Sequence, residues 1–306
     1  MTAPGLVLVT GAAGFVGREL VAELARRGRP LRAAVRAFPQ ERFAGADYVE
    51  TGDLCAEPGW EEALADVECL VHAAARAHVL AETESDPLSV FRAVNRDGTL
   101  RLARQAAAAG VRRFVFLSSI GVNGAATADR PFRADDPPTP HSPYAIAKHE
   151  AELGLQEIGR ETGLEIVVIR APLVIGPDAP GNIGTLTRAI AGGWPLPFGA
   201  ITANRRDLVS LANLADLVAA CLDHPAAAGE TFLVSDGAPL STRALIERLG
   251  ALVGRRPRLS RIPPRLLGLA LRAAGKGAMA AQLLGNLEVD IGHTKHILGW
   301  SPRGSG

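Results

Sequence analysis

The sequence lacks the features that most quickly define a specialised protein. It has only three cysteines, Cys55, Cys69 and Cys221, an odd number at unrelated spacings. That excludes a disulfide framework and a Cys-based zinc site, and no metal is expected. Such thiols fit a reducing compartment, so a cytoplasmic location is expected. Lys and Arg number 33 against 32 Asp and Glu, a formal net charge of +1. No overall field gathers nucleic acid or an anionic membrane, and neither partner is expected. Any anionic ligand must be held by local geometry. The most apolar late stretch, Leu266 to Ala274, contains Arg272 and falls far short of the roughly 20 residues of a bilayer crossing. The opening MTAPGLVLVTG runs into a strand without a basic region and cleavable apolar segment. Internal repeats and low-complexity tails are absent too.

What is present is a rhythm. Short apolar runs (LVLVT, LRAAVR, CLVHAAA, RFVFLSS, EIVVIRA) alternate with helical stretches over 15–27, around 95–109 and over 144–162. Continuous apolar strands separated by helices imply a parallel sheet buried on both faces, a doubly wound α/β (Rossmann) domain over 1–174. After Pro172 the rhythm breaks into GPDAPGN and GGWPLPFG. A smaller C-terminal α+β substrate region over 175–306 is expected, with segments free to return to the first domain. Its helices read as 183–192, 214–223, 242–253 and 264–272, with a strand over 231–235.

TGAAGFVG places Gly11, Gly14 and Gly17 between a predicted strand and a predicted helix, where backbone amides and the helix dipole can receive a pyrophosphate. Phe15 and Val16 share that turn. The second strand ends in Val35, Arg36 and Ala37, with no acidic residue to accept from the ribose hydroxyls. Arg36 suits a 2′-phosphate, so NADP(H) is the preferred cofactor and NAD(H) the alternative. Asp53 is placed to accept from the adenine amino group, or else caps a helix, and Leu54 to lie against the ring. Ala73, Ala74 and Ala75 let the chain pass the nicotinamide ribose and phosphates. His72 reads as a packing residue.

Tyr144 and Lys148 stand four apart in SPYAIAK, on one face of a predicted helix. An ammonium near a phenol favours phenolate, so Tyr144 is expected to titrate within reach of neutral pH as the acid/base. Ser119 would hold the substrate oxygen. Hydride moved at a carbinol carbon must be matched by a proton at its oxygen, and these residues supply that proton.

In this order the motifs TGAAGFVG, GDL, HAAA, Asn95, SSIGVNG, YAIAK, RAPLVIGP and RRDLVSLANLADL resemble the extended short-chain dehydrogenase/reductases, the nucleotide-sugar epimerase/dehydratase family. The resemblance covers nearly the whole chain. It implies Ser119, rather than Ser118, as the catalytic serine, Tyr144 as acid/base and Lys148 as its electrostatic partner. It implies Arg170 and Pro172 at the strand end beside the nicotinamide, with Asn182 and Arg206 at the diphosphate of a UDP-sugar. Asn182 otherwise caps the following helix, and Arg206 otherwise pairs with Asp207. His78, Arg76 and Asn123 are placed on loops above the cofactor, near the sugar. A homodimer through helices that include the Tyr144 helix is implied as well.

Family dehydratases carry an Asp-Glu pair after the catalytic serine or threonine; here Ile120 and Gly121 stand there, against dehydration. The resemblance, with Arg36, favours NADPH-dependent reduction of a UDP-4-keto-6-deoxy-N-acetylhexosamine in surface-polysaccharide synthesis. The alternative is NAD-dependent 4-epimerisation of a UDP-hexose or UDP-N-acetylhexosamine. A non-catalytic NADP(H) sensor is a third reading, opposed by the intact Ser119, Tyr144 and Lys148. Two departures from the family stand out: Ile175 replaces a tyrosine, and the sequence stops soon after GWSP, where relatives continue into a helix whose loss would loosen the substrate region.

Overall fold

The fold is described from a computed structural model, for residues 4–54, 59–77 and 86–304. Its first half alternates as the apolar runs require: β1 (Leu6–Thr10), α1 (Phe15–Arg26), β2 (Leu31–Val35), β3 (Asp47–Glu50), α2 (Glu61–Leu64) and β4 (Val67–His72). Next come α3 (Pro87–Arg92), a π-helical turn (Ala93–Gly98), α4 (Thr99–Ala108), β5 (Arg113–Ser119), α5 (Pro143–Thr162) and β6 (Glu165–Ala171). The later chain gives β7 (Leu173–Ile175), α6 (Gly181–Ala191), β8 (Pro195–Leu196), β9 (Leu208–Ser210), α7 (Leu211–Asp223) and β10 (Thr231–Leu233). It ends in α8 (Thr242–Leu252), β11 (Arg258–Leu259), α9 (Pro264–Ala273), α10 (Gly277–Leu284) and α11 (Gly292–Leu298).

One seven-stranded sheet, ordered β3-β2-β1-β4-β5-β6-β10, forms the centre, and its ladders are parallel. Side chains alternate across it. Val7, Val9, Cys69, Val71, Val115, Val167 and Ile169 face the core shared with α1 and α7, while Leu8, Leu70, Phe114, Phe116, Ile166 and Val168 face the core under α4 and α5. Burial on both faces explains why these strands read as unbroken apolar runs. The order reverses at β1, which pairs with β2 on one side and β4 on the other, and ligands of such sheets bind beyond the carboxyl ends at that point.

The run at Thr231 returns to the main sheet as β10, beside β6. A third core gathers Ile175, Ile183, Ile190, Leu208, Leu245 and Leu249 between α6 and α8. Two-stranded pieces, β7 with β9 and β8 with β11, tie this region together. The predicted helix near Asn95 begins earlier, as α3, and widens into the π turn before α4.

Candidate active site

The β1–α1 turn is shaped by what its glycines exclude. Gly11 has φ +65°, and a Cβ there would lie 2.7 Å from the Ala74 amide nitrogen. At Gly17 a Cβ would fall 2.0 Å from the Gly11 carbonyl oxygen, so α1 sits directly on the turn. Gly14 opens α1 in extended backbone with no side-chain cap, leaving the first-turn amides for an outside acceptor. This is a cradle that fits a dinucleotide pyrophosphate, with Phe15 and Val16 half-buried in the first turn. Arg36 is exposed just beyond β2, and Asp53 is exposed beyond β3. Leu54 is buried against Gly98, where a Cβ would meet its Cγ at 2.7 Å.

The end of β4 is fixed by a hydrogen-bonded chain. The Ala74 amide donates to Thr10 Oγ1 (3.3 Å), which lies 2.7 Å from His72 Nδ1, while His72 Nε2 lies 3.0 Å from Thr99 Oγ1. Thr99 donates in turn to the Asn95 carbonyl at 2.9 Å. The direction of this relay assigns His72 a proton on Nε2 and none on Nδ1. Complete burial pushes its pKa down to about 3, with Lys148 adding to the effect, so the ring is a neutral packing group. Within the π turn, Asn95 accepts from the Arg76 amide (2.8 Å) and donates to its carbonyl (3.0 Å). The loop carrying half-buried Ala73 and Ala74 and exposed Ala75 is thereby held beside the glycine turn.

On the other side of the switch point, β5 delivers two adjacent serines to opposite faces, as strand alternation demands. Ser119 caps a short 3₁₀ turn (Ile120–Val122), accepting from the Gly121 amide at 3.1 Å. A Cβ on Gly121 would lie 3.3 Å from both Ser119 Oγ and Ala145 Cβ, so Ser119 and the first turn of α5 close on each other around this glycine. Ser142 caps α5 by accepting from Ala145 (3.2 Å), with Pro143 starting the helix. Tyr144 is therefore fixed in the first turn, its ring edge-on to Phe91 at 6.0 Å.

One turn on, Lys148 is 1% exposed. Its Nζ donates to the Leu117 carbonyl (2.8 Å) and sits 4.3 Å from the Phe116 ring centroid and 6.0 Å from that of Tyr144. The expectation that this ammonium makes the phenol acidic is corrected here. Burial pushes Tyr144 up to about 12 and Lys148 down to about 7. Desolvation penalises both charged forms, and the lysine donates to the Leu117 carbonyl of β5.

A further turn down the same helix face, Glu152 is 2% exposed. Arg170 clamps it through Nη2 (2.7 Å) and Nε (3.1 Å), and Ser118 Oγ donates to it at 2.5 Å. Burial alone would raise the Glu152 pKa. Its hydrogen-bonding partners outweigh that and hold it below the usual carboxylate range; Arg170 and Ser118 are within bonding distance, whereas His149 Nδ1 is 3.9 Å away. Asn123 completes the cluster, accepting from Arg170 Nη1 (3.1 Å) and donating to the Arg133 carbonyl (2.8 Å). The side chains of Arg170 and Asn123, placed by sequence at cofactor and sugar, are thus engaged inside the protein. Pro172 is buried at the end of β6.

Asn182 is exposed in the first turn of α6, whose cap position is Pro180, so it is not the cap. Arg206 is half-buried, donates to the Gly285 carbonyl (3.2 Å) and forms no ion pair among the described residues. Its pKa is lowered by burial. Asp207 turns away to Ser235 and the Val289 amide, so the Arg206–Asp207 pair does not form. A half-buried guanidinium without a carboxylate suits an anionic ligand. His78 lies outside the described residues.

Residues 7–235 match the NAD dependent epimerase/dehydratase family. The chain belongs to that family. Over 300 residues it is 40% identical to a UDP-glucose 4-epimerase of Vibrio cholerae, covering 98% of this chain and 91% of that protein. A UDP-glucose 4-epimerase of Thermus thermophilus, solved in complex with NAD, is 25% identical with a TM-score of 0.77, over 97% of this chain and 94% of that one. A Thermotoga maritima UDP-glucose 4-epimerase, solved with UDP-glucose, shares the fold with a TM-score of 0.78 at 24% identity, over 98% and 94% of the two chains.

As a member of the epimerase/dehydratase family, the protein is an NAD(P)-dependent enzyme of the extended short-chain dehydrogenase/reductase type. The resemblance and the doubly wound fold expected from sequence are borne out. Sequence reasoning missed Glu152, Thr10, Thr99 and Phe116. Only Glu152 left a signal, standing four residues beyond Lys148 on the same helix face.

Proposed function

We propose that this chain catalyses reversible 4-epimerisation of a UDP-hexose with NAD held in the glycine cradle. The observation that carries the reading is the 40% identity to a UDP-glucose 4-epimerase across 98% of the chain. Gly121 supports it against dehydration, because the position carries no acid and a Cβ there would already be a tight 3.3 Å from Ser119 Oγ and Ala145 Cβ. In the reaction Ser119 holds the oxygen on carbon 4 while Tyr144 takes its proton, and the proton returns after the keto sugar has turned its other face. When bound, oxidised nicotinamide supplies the hydride acceptor and a positive charge that favours phenolate against the burial described above. Lys148 positions the ribose, and Arg206 with Asn182 the diphosphate.

Exposed Arg36, with no acid closing β2, favours a second reading, NADPH-dependent reduction of a UDP-4-keto-6-deoxy-N-acetylhexosamine. Two incubations separate them. Formation of UDP-galactose from UDP-glucose without added nucleotide supports epimerisation; stoichiometric oxidation of NADPH by the keto sugar, with no interconversion, replaces it with reduction. We also read the protein as a homodimer across α5, supported by Leu153, which is 53% exposed on that helix.

A further inference from the structure

The near-neutral charge of the chain conceals a segregation. Between Glu247 and Glu288 there is no Asp or Glu, against seven arginines and one lysine. Arg248 pairs with Asp236 and Arg255 donates to the Ala191 carbonyl. Arg256, Arg258, Arg261, Arg265, Arg272 and Lys276 are exposed and, among the described residues, form no ion pair.

The α9 helix lies in the middle of this stretch and carries leucines on both its inner and its outer side. Its inner side, Leu267 and Gly268, is buried, with Gly268 close against Leu284 of α10. Outward it shows Leu266 (60% exposed) and Leu269 (65%), which with exposed Ala270 and Ala273 form a stripe at helical spacing. Arg265 and Arg272, two turns apart, line one edge of that stripe. A surface helix ordinarily turns its leucines inward, and an apolar patch rimmed by charge marks an interaction site.

We propose that the α9 face docks on an anionic lipid surface. An apolar strip lying in the plane of the interface with cations at headgroup level is what such a surface receives. A second copy of the chain would set unpaired cations against like charges, and a nucleic acid would leave the leucines in water. The helix lies on the surface rather than crossing it, since among the described residues none is long and apolar enough to span. The expectation of no membrane partner rested on net charge and span length, and neither registers a segregated surface. The inference is independent of the epimerase reading.

Vesicle flotation tests it, with phosphatidylcholine alone and phosphatidylcholine mixed with phosphatidylglycerol. At low salt the protein floats with the mixed vesicles and not with phosphatidylcholine, and high salt releases it. Arg265→Glu with Arg272→Glu, and separately Leu266→Ser with Leu269→Ser, each weaken binding by more than about tenfold. Sugar-nucleotide turnover and circular dichroism stay unchanged. The proposal is overturned by no binding to the mixed vesicles, by equal binding to both kinds, or by unaltered binding of the variants. It is also overturned if the serine variant turns a dimer into a monomer in light scattering, which would make a second copy the occupant.

Discussion

Tyr144, Lys148 and Glu152 descend one face of α5, and each meets a different environment. The phenol is packed by Phe91, the amine rests on Phe116 and the Leu117 carbonyl, and the carboxylate is clamped by Arg170. Replacing Glu152 by Gln leaves the Arg170 guanidinium buried without its counter-charge, a loss of about 3–5 kcal/mol. Urea unfolding checks this, and a variant as stable as the parent would remove Glu152 from the support of the site. His72 gives a pH-dependent counterpart. Its pKa lies near 3 when folded, against an ordinary value near 6.5 when unfolded, so below pH 6.5 the unfolded chain takes up a proton that the folded ring refuses. Stability therefore falls as the pH drops through this window, by up to about 1.4 kcal/mol per unit. In His72→Gln that component vanishes. Between pH 6.5 and 5 the stability difference between parent and variant should shift toward the variant by roughly 2 kcal/mol; a constant difference would show that the ring titrates normally.

Among the elements, the β1–α1 turn was the most legible, because three glycines between an apolar strand and a helix leave few other geometries. Gly17→Ala forces a methyl toward the Gly11 carbonyl, where only 2.0 Å is available. Isothermal titration should show NAD affinity reduced by more than about tenfold, and unchanged affinity would place the dinucleotide elsewhere. Strands β1, β4, β5 and β6 were equally legible, each being a continuous apolar run. The π turn at Ala93–Gly98 was not, because one extra residue in a helical repeat leaves the periodicity of its flanks intact. Nor was the destination of Arg170: its number fixes its place on β6, but its partner is a carboxylate reached only when α5 packs across the sheet. The Tyr144 ionisation misled for a related reason, since helix spacing reveals proximity to Lys148 but not the desolvation that both groups suffer.

For the whole molecule, the chain after Pro172 does more than follow the first half. It returns β10 to the sheet and lays α7 beside α1, and the end of the chain is tied back to both. Asp216 on α7 is the knot, accepting from Arg27 (2.5 Å), from Trp300 Nε1 (2.7 Å) and from Arg303. Asp216→Ala should lower stability by about 3 kcal/mol or more, with earlier proteolysis near Trp300; a neutral substitution would show that these contacts do not hold the end in place. The same long-range folding brings β5, α5 and the glycine turn to one end of the sheet, where the proposed chemistry is placed. That chemistry rests on one phenol moving one proton. The direct measurement is the rate of UDP-galactose to UDP-glucose conversion, without added nucleotide, by the parent and by Tyr144→Phe. The account predicts turnover by the parent and a loss of about 10² to 10⁴ in the variant at nearly unchanged NAD affinity. A variant that epimerises at the parental rate would contradict it.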